Sequence, residues 1–292
     1  MITIPFIYSN SLGISLSITD TNSPIRAISI DGLSPTSSIS VSPNYDSDGG
    51  VIVSERLGTR SINILLAFCN SYEKCKKLLF DTFITKDTGK LIYINDNNET
   101  FHISCYVEKI SLPVSERAIT AQITLICPDP FWTVGTSSNS IENGSKISIL
   151  GINNKLQFPW FINKDGFEFA TISNNRIAKI TNNGITDSGC IFELFARSQV
   201  VNPRLENNKT FDFIELDFTM LASDKIIINT IKGQKSITLI RNNNESNIIN
   251  SKVWGSKFLQ LSPGFNEIVC NASDGIDSLS VTITFAEKYG GL

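Results

Sequence analysis

Charged side chains are scarce in this sequence, and neither sign dominates. Lys and Arg number 25 and Asp and Glu 28, which together make 18% of the 292 residues, against about 25% in an average soluble protein. The formal net charge of −3 argues against a nucleic-acid binder that acts through bulk charge, because neutralising phosphates requires an excess of basic residues. The 41% of hydrophobic residues excludes intrinsic disorder.

Long hydrophobic runs are also missing. No uninterrupted apolar stretch approaches the roughly 18 residues that a membrane-spanning helix needs, so we predict no membrane insertion. The opening segment MITIPFIYSNSLG contains no Lys or Arg and does not resemble a signal peptide. Without secretion, the cysteines are expected to be buried free thiols. These are Cys69, Cys75, Cys105, Cys127, Cys190 and Cys270.

The residue patterns of common catalytic and cofactor sites do not occur. The single histidine, His102, has neither a GxSxG nucleophile elbow nor a papain-like cysteine context beside it. The sequence contains no GxGxxG, no GxxxxGK[ST] and no CxxC pair. We therefore predict that the chain is not an enzyme and that it holds no cofactor.

Most of the chain alternates apolar and polar residues with period two, which is typical of half-buried β-strands. Residues 60–68, 103–107, 119–127 and 279–285 show it most clearly. Residues 70–84 differ, because Tyr72, Cys75, Leu79 and Phe83 follow a helical spacing. A capping box of Asn70 and Glu73 fits the start of this predicted helix.

The segment between Trp132 and Lys146 is small, polar and rich in turn residues. We place a linker at residues 134–145, between a first domain at 1–133 and an all-β second domain at 146–292. Regularly spaced strands in the second domain favour a sandwich or a jelly roll. Limited proteolysis is expected to cut first within the linker.

Residues 44–55 resemble the spacing of a calcium-binding EF-hand loop. Asn44, Asp46, Asp48 and Glu55 occupy ligand positions 1, 3, 5 and 12, with Gly49 at position 6. However, position 1 is Asn, and the preceding SPTSSISVSP does not form an entering helix. The alternative is a solvated acidic turn, which we favour.

Three aromatic residues of the second half are candidates for sugar contacts. β-Sandwiches often bind carbohydrates through exposed aromatics, and Trp254 and Phe258 are placed to do so, together with Trp160. The alternative is that these side chains belong to the core or rim of the sandwich.

Several motifs together resemble the distal tail proteins of long-tailed bacteriophages and phage-tail-like particles. The most specific is the CPDPFW segment formed by Cys127, Pro128, Asp129, Pro130, Phe131 and Trp132. The second is the LSPGFN turn, which contains Pro263, Gly264 and Asn266. Supporting segments are ISIDGL at 28–33, RLGTRSINI at 56–64 with Arg60, GKLIY at 89–93, YVE at 106–108, INTIKG at 228–233 and the ending YGGL at 289–292.

This resemblance implies a mainly β protein with two domains. The N-terminal domain would be a β-sandwich or split barrel with one α-helix, similar to tail-tube subunits, and the C-terminal domain a galectin-like β-sandwich. Six copies would form a ring in the virion tail, assembled in the bacterial host cytoplasm. The ring would join the tail tube protein to tail-tip or baseplate hub proteins and to receptor-binding proteins, and DNA would pass through it without specific binding. A carbohydrate-binding adhesin or receptor-binding protein of the virion is the alternative function.

Residues 34–56 are too long for an ordinary hairpin turn and too polar for a core strand. Ile39 and Val41 are predicted to pair with Val51 and Val53 as a short ribbon. In tube-like subunits such an extension packs on the neighbouring subunit, so we expect an inter-subunit arm here. Deleting residues 36–52 is expected to leave a folded monomer that cannot form rings.

Overall fold

The computed structural model describes residues 5–112, 120–134, 145–149, 151–154, 170–173 and 176–291. The chain divides into unit 1, which is Met1–Ser137 with Lys288–Leu292, and unit 2, which is Ser138–Glu287. Lys288–Leu292 therefore lies outside the domain to which the sequence assigned it. The physical reason is that the end of the chain pairs with a strand of unit 1.

Unit 1 is built on one antiparallel sheet. The path through it is β2-β1-β7-β8-β9-β6-β3; β10 pairs with β8, and β26 pairs with β10. Numbered along the chain, its strands are β1 (Phe6–Ser9), β2 (Ser15–Ser17), β3 (Ile25–Asp31), β6 (Arg60–Phe68), β7 (Thr88–Ile94), β8 (Thr100–Ser111), β9 (Thr120–Cys127), β10 (Trp132–Val134) and β26 (Lys288–Tyr289). A separate two-stranded ribbon consists of β4 (Ser37–Pro43) and β5 (Gly50–Leu57).

Helix α1 (Tyr72–Thr82) lies within the predicted range of 70–84. The described residues contain no other α-helix. Its buried residues include Cys75 and Leu79, at the helical spacing seen in the sequence. The predicted capping box is wrong, because the helix begins after Ser71 and no side chain caps it. The Asn70 Oδ1 atom accepts a hydrogen bond from the backbone N–H of Ser71 instead (2.8 Å).

The core of unit 1 lies between one face of the sheet and helix α1. The alternation in the sequence corresponds to burial, because every second residue of β6 is buried and the residues between are more exposed. The Tyr8 and Phe83 rings stack with their centroids 4.2 Å apart and join β1 to the end of the helix. The large buried side chains are Phe6, Tyr8, Ile18, Ile25, Ile62, Ile64, Leu66, Leu79, Phe83 and Trp132.

Unit 2 contains two larger antiparallel sheets. One has the order β11-β25-β15-β20-β21-β22, with β23 paired to β15, and the other has the order β14-β24-β17-β18. Their strands are β11 (Ser145–Ile149), β14 (Ile177–Asn182), β15 (Ser188–Ala196), β17 (Arg204–Asn207), β18 (Asp212–Glu215), β20 (Lys225–Asn229), β21 (Ser236–Arg241), β22 (Asn244–Asn247), β23 (Gln260–Leu261), β24 (Gly264–Asn271) and β25 (Leu279–Phe285). The described residues of this unit also form two short pairs: β12 (Gly151–Asn154) with β13 (Ala170–Ser173), and β16 (Val200–Val201) with β19 (Thr219–Met220).

The two larger sheets of unit 2 share one hydrophobic core, which makes this unit a β-sandwich. Leu205 and Ile268 contribute from the four-stranded sheet, and Phe192, Ile228 and Ile283 contribute from the other. The predicted fold class, mainly β with a helix in the first half, is confirmed.

Five of the six cysteines are buried free thiols, as expected, but Cys69 is exposed just after the end of β6. The predicted linker at 134–145 and the candidate Trp160 lie almost entirely outside the described residues. Among the helices of the described part, none has the length and hydrophobicity to cross a membrane.

Candidate interaction site

The ribbon β4–β5 forms as the sequence predicts, but no described residue of its own chain covers it. Every residue of both strands is exposed, and within the described residues the strands pair only with each other. Five of its apolar side chains, Ile39, Val41, Val51, Ile52 and Val53, are exposed by 51–68%, and Leu57 at the end of β5 is exposed by 39%. A two-stranded hairpin is at best marginally stable alone in water, and exposed apolar edge strands readily pair with other chains. The ribbon is therefore a candidate interaction surface.

The acidic segment proposed as a calcium loop is divided between the ribbon's turn and its second strand. Asn44, Asp46 and Asp48 lie in the turn, where Asn44 Nδ2 donates to Ser47 Oγ (3.2 Å). Glu55 lies in β5 opposite Ile39, several residues along an extended strand from the turn. The structure therefore does not bring the twelfth-position ligand to the other three, and no cluster of three or more metal-ligating residues occurs in the described part of the chain.

Arg60 lies at the start of β6 and is only 4% exposed. Its guanidinium donates to the carbonyl oxygen of Leu33 (2.6 Å) and to the carbonyl oxygen of Gly290. The fully buried Trp132 ring lies beside it, with its centroid 6.0 Å from the guanidinium carbon. Burial lowers the pKa of Arg60, while Asp129 acts in the opposite direction. This is a buried cation held by backbone carbonyls and an aromatic ring.

The two ends of the CPDPFW segment, Cys127 and Trp132, lie beside Arg60. Cys127 is buried at the end of β9, directly opposite Arg60 in the strand register. Asp129 accepts a hydrogen bond from Lys288 Nζ (2.7 Å), and the same ammonium lies 5.6 Å from the centroid of the Phe131 ring. Pro128 and Pro130 lie in the bend between β9 and β10. The segment thus connects two strands and contacts the end of the chain.

The second sequence motif, LSPGFN, forms a tight turn between β23 and β24. Asn266 is fully buried, and its Nδ2 donates to the carbonyl oxygens of Ser262 (2.7 Å) and Gly264 (2.9 Å). Gly264 has a φ of +84°, a conformation that favours glycine. Lys209 Nζ donates to the carbonyl oxygen of Pro263 (2.7 Å). These contacts stabilise the turn of unit 2.

Two of the three aromatic residues considered for sugar contacts lie within the described residues, in different environments. Trp254 is 97% exposed, next to Gly255, which faces the ring of Phe213. Phe258 is partly buried against the core of unit 2, and Lys235 Nζ lies 5.4 Å from its ring centroid. Of the two, only Trp254 presents an open aromatic face.

The contact between Arg60 and Gly290 is a feature that sequence reasoning missed. The two residues are 230 positions apart, and no local periodicity reports such a pairing. The available signal was that both lie in segments of the family resemblance, RLGTRSINI and YGGL.

The fold and these sites define a class, namely a mainly β protein of two units with an exposed two-stranded ribbon. Residues 183–289 match the family described as siphovirus-type tail component, C-terminal domain. No curated protein matches the chain. The resemblance to distal tail proteins is therefore confirmed, and the chain is a structural component of a phage tail.

Solved structures resemble the fold of this chain over nearly its full length. The Dit protein of phage SPP1, described as a paradigm of the hub adsorption apparatus in phages that infect Gram-positive bacteria, has a TM-score of 0.66 and 12% identity; 97% of this chain and 98% of that one are covered. A chain of the phage p2 baseplate in its activated conformation with Sr has a TM-score of 0.57 and 11% identity, covering 99% and 100%. A chain of the p2 baseplate with Ca has a TM-score of 0.54 and 12% identity, and 100% of both chains is covered. Both units therefore share the Dit fold.

Proposed function

We propose that six copies of this chain form a closed ring at the distal end of a phage tail, and that the ring joins the tail tube to the tail tip or baseplate and to receptor-binding proteins. Two findings support this: the family match of residues 183–289 and the Dit fold of the whole chain. The observation that carries it is the exposed ribbon β4–β5, which would provide a surface for a neighbouring subunit.

The ribbon is suited to a ring because it projects one set of exposed apolar side chains from each copy. A ring needs a heterologous contact, in which one surface of a subunit binds a different surface of the next. Ribbon residues such as Val51 and Val53 would be buried by that contact. The hydrophobic effect then stabilises the ribbon and the ring together.

The ring is proposed to act as a conduit and a joint rather than as an enzyme. The net charge of −3 suits a channel through which DNA passes, because a basic channel would retain DNA by releasing counterions from its phosphates. The C-terminal unit is proposed to be galectin-like and to dock other tail proteins. Assembly would take place in the host cytoplasm, before the particle is released.

The first experiment removes the ribbon. Ser37 and Leu57 are directly opposite each other in the register, so a Gly-Gly link replacing residues 37–57 closes the gap with little strain. The variant is expected to be a folded monomer that is absent from rings in assembled particles imaged without imposed symmetry. Rings of six from the ribbonless chain would contradict the proposal.

A second variant keeps the ribbon and changes only its surface. Val51→Asp with Val53→Asp places two charges where an apolar contact is proposed, and burying unpaired charge is costly. Ring formation is expected to fail, while the matched control Ser38→Thr with Ser40→Thr leaves it intact. Three copies around the axis, or copies only on peripheral fibres, would favour the adhesin.

An adhesin is the second candidate, and the 97% exposure of Trp254 is the observation that favours it. Sugar rings stack on such open aromatic faces. If the chain binds glycans, Trp254→Ala in the full-length protein should abolish binding to purified cell walls. Phe265→Ala, which removes another exposed aromatic of unit 2, is the control. Equal cell-wall binding by both variants would count against a glycan site at Trp254.

A further inference from the structure

We propose that Arg60, Trp132 and strand β10 form a peptide-binding site whose ligand is the chain's own C-terminal segment, Lys288–Gly291. Docking of this segment completes unit 1, so unit 1 reaches its final structure only after unit 2 has been synthesised. The inference concerns the folding of a single chain and does not depend on the proposed ring.

The backbone contacts are those of strand addition. Trp132 lies opposite Tyr289 and Thr133 opposite Lys288 in the antiparallel register of β10 and β26. On its other side β10 pairs with β8. Without the C-terminal segment, β10 would be an edge strand with one row of its backbone groups unpaired. Adding an extended peptide to such an edge is a common way to bind a peptide.

Side chains fix which peptide binds and in which register. Lys288 pairs with Asp129 at 2.7 Å and is largely buried against the Phe131 ring. The next residue, Tyr289, packs edge-on against Phe101, with ring centroids 5.7 Å apart. Two neighbouring residues of the segment thus meet a carboxylate and an aromatic ring, which gives the site a preference for a cation followed by an aromatic residue.

Arg60 supplies the third recognition element, which is the backbone carbonyl of Gly290. A buried guanidinium needs hydrogen-bond acceptors, because an unpaired buried charge is strongly unfavourable. Leu33 provides one acceptor, while the Nε atom of Arg60 has no partner within the described residues. When the C-terminal segment is absent, Arg60 loses one of its two carbonyl partners. The site is therefore built to favour the docked state.

The order of the segments along the chain determines when the contact between β10 and β26 can form during synthesis. The other strands of unit 1 end at Val134, and the docking segment follows only after the whole of Ser138–Glu287. During synthesis from the N-terminus, β10 therefore lacks its partner until residues 288–291 emerge. A chain that stops within unit 2 leaves unit 1 incomplete.

The test cuts the full-length chain in one place. A protease recognition sequence is introduced within residues 138–142, and the cleaved protein is passed over a size-exclusion column under native conditions. The two pieces are expected to co-elute, because the C-terminal piece ends in the segment that occupies the site. The same chain truncated after Glu287 is expected to separate on cleavage. Separation of the untruncated pieces, or co-elution of the truncated ones, would overturn the proposal.

Arg60→Lys tests the side chain that recognises the carbonyl. It keeps the charge but loses the fork that reaches two carbonyls, and we expect the pieces to dissociate at least about tenfold more readily. Arg204→Lys in unit 2, which removes a comparable fork from Glu206 and Glu215, is the matched control. Equal dissociation of the parent and Arg60→Lys would overturn the role of Arg60.

Hydrogen exchange of the uncut, truncated chain provides a readout that does not require the pieces to separate. Protection is expected to fall in β8 and β10 and to remain unchanged in the strands of unit 2. A truncated chain with native protection throughout β8 and β10 would refute the site. Loss of protection confined to unit 1 supports it, even if the loss extends to the entire unit.

Discussion

Two hairpins of this chain both contain β-branched apolar residues and differ in whether those residues are buried. In β20–β21 of unit 2, Ile226, Ile228 and Ile237 are buried against the opposite sheet. In the ribbon β4–β5, the side chains of Val41 and Ile52 are as apolar but stand in solvent. The surroundings differ, and so does the composition, because β4 places Ser residues between its β-branched side chains whereas β20 contains a run of Ile.

The comparison shows that a strand pattern by itself does not place an apolar residue in a core. Burial stabilises a fold by about 25 cal/mol for each Å² of apolar surface removed from water. The β20–β21 hairpin gains this within the chain, whereas the ribbon would gain it from the proposed contact with a neighbouring subunit. Substitutions in the two hairpins should therefore affect different measurements, namely the free energy of unfolding and the extent of assembly.

The largest loss in the free energy of unfolding is expected from a substitution at Ile228. Ile228→Ala removes buried methyl and methylene groups and leaves a cavity, which costs about 2–5 kcal/mol in well-packed cores. Urea unfolding measures this loss of free energy, and hydrogen exchange of unit 2 peptides shows whether it arises in unit 2. Val53→Ala in the ribbon is the paired control and is expected to change the free energy of unfolding by less than about 0.5 kcal/mol. Similar losses at both positions would invalidate the comparison.

An intermediate effect is expected at Asp224, which lies just before β20. Its buried carboxylate accepts hydrogen bonds from Arg241 Nε (2.8 Å) and from the backbone N–H of Leu221 (2.7 Å). The hydrogen bond from Arg241 is the main cause that lowers the pKa of Asp224, and burial partly opposes it. Asp224→Asn should lower the free energy of unfolding by about 1.5–3 kcal/mol at pH 7. We expect a loss near the lower value, because Arg241 is partly exposed to solvent.

The pH dependence follows from the direction of that shift. Because the pKa of Asp224 is lower in the folded state, its stabilisation is fully present above the unfolded pKa of about 3.9 and is lost as the pH falls through the folded pKa. Urea midpoints at pH 7, 5 and 3 should therefore converge for the parent and Asp224→Asn at low pH. A constant difference at all three values would count against the assignment.

The smallest effect is expected when the ribbon keeps its strands and loses part of its apolar surface. Val51→Thr with Val53→Thr preserves β-branching, so the monomer should change by less than about 0.5 kcal/mol. The urea unfolding curve of the monomer measures this. A loss well above 1 kcal/mol would show that the ribbon packs on its own chain.

Local patterns in the sequence were sufficient to predict much of the fold. Period-two alternation placed β6, β8 and β25, and helical spacing placed α1, because burial on one face leaves a direct trace in the residue order. The ribbon was predicted from two short β-branched runs around a turn, and it forms with Val41 opposite Ile52.

Features that depend on distant residues or on competing polar contacts were not predictable. Asn70 bonds the adjacent Ser71 N–H rather than capping with Glu73, which is a choice between two local hydrogen bonds of similar strength. Glu55 does not join the other residues of the calcium-loop spacing, because the ribbon continues as a strand through that position. Docking of Gly290 beside Arg60 required the three-dimensional arrangement of unit 1.

The adjacent positions of β10 and β26 have a mechanical consequence. Unit 2 is connected to the end of β10 at Val134 and to the start of β26 at Lys288, and these antiparallel strands lie side by side. A pull on both connections along the strand axis moves the two strands in the same direction, so the hydrogen bonds between them carry little load. The force passes instead to the bonds between β10 and β8, which resist it together in shear rather than opening one after another.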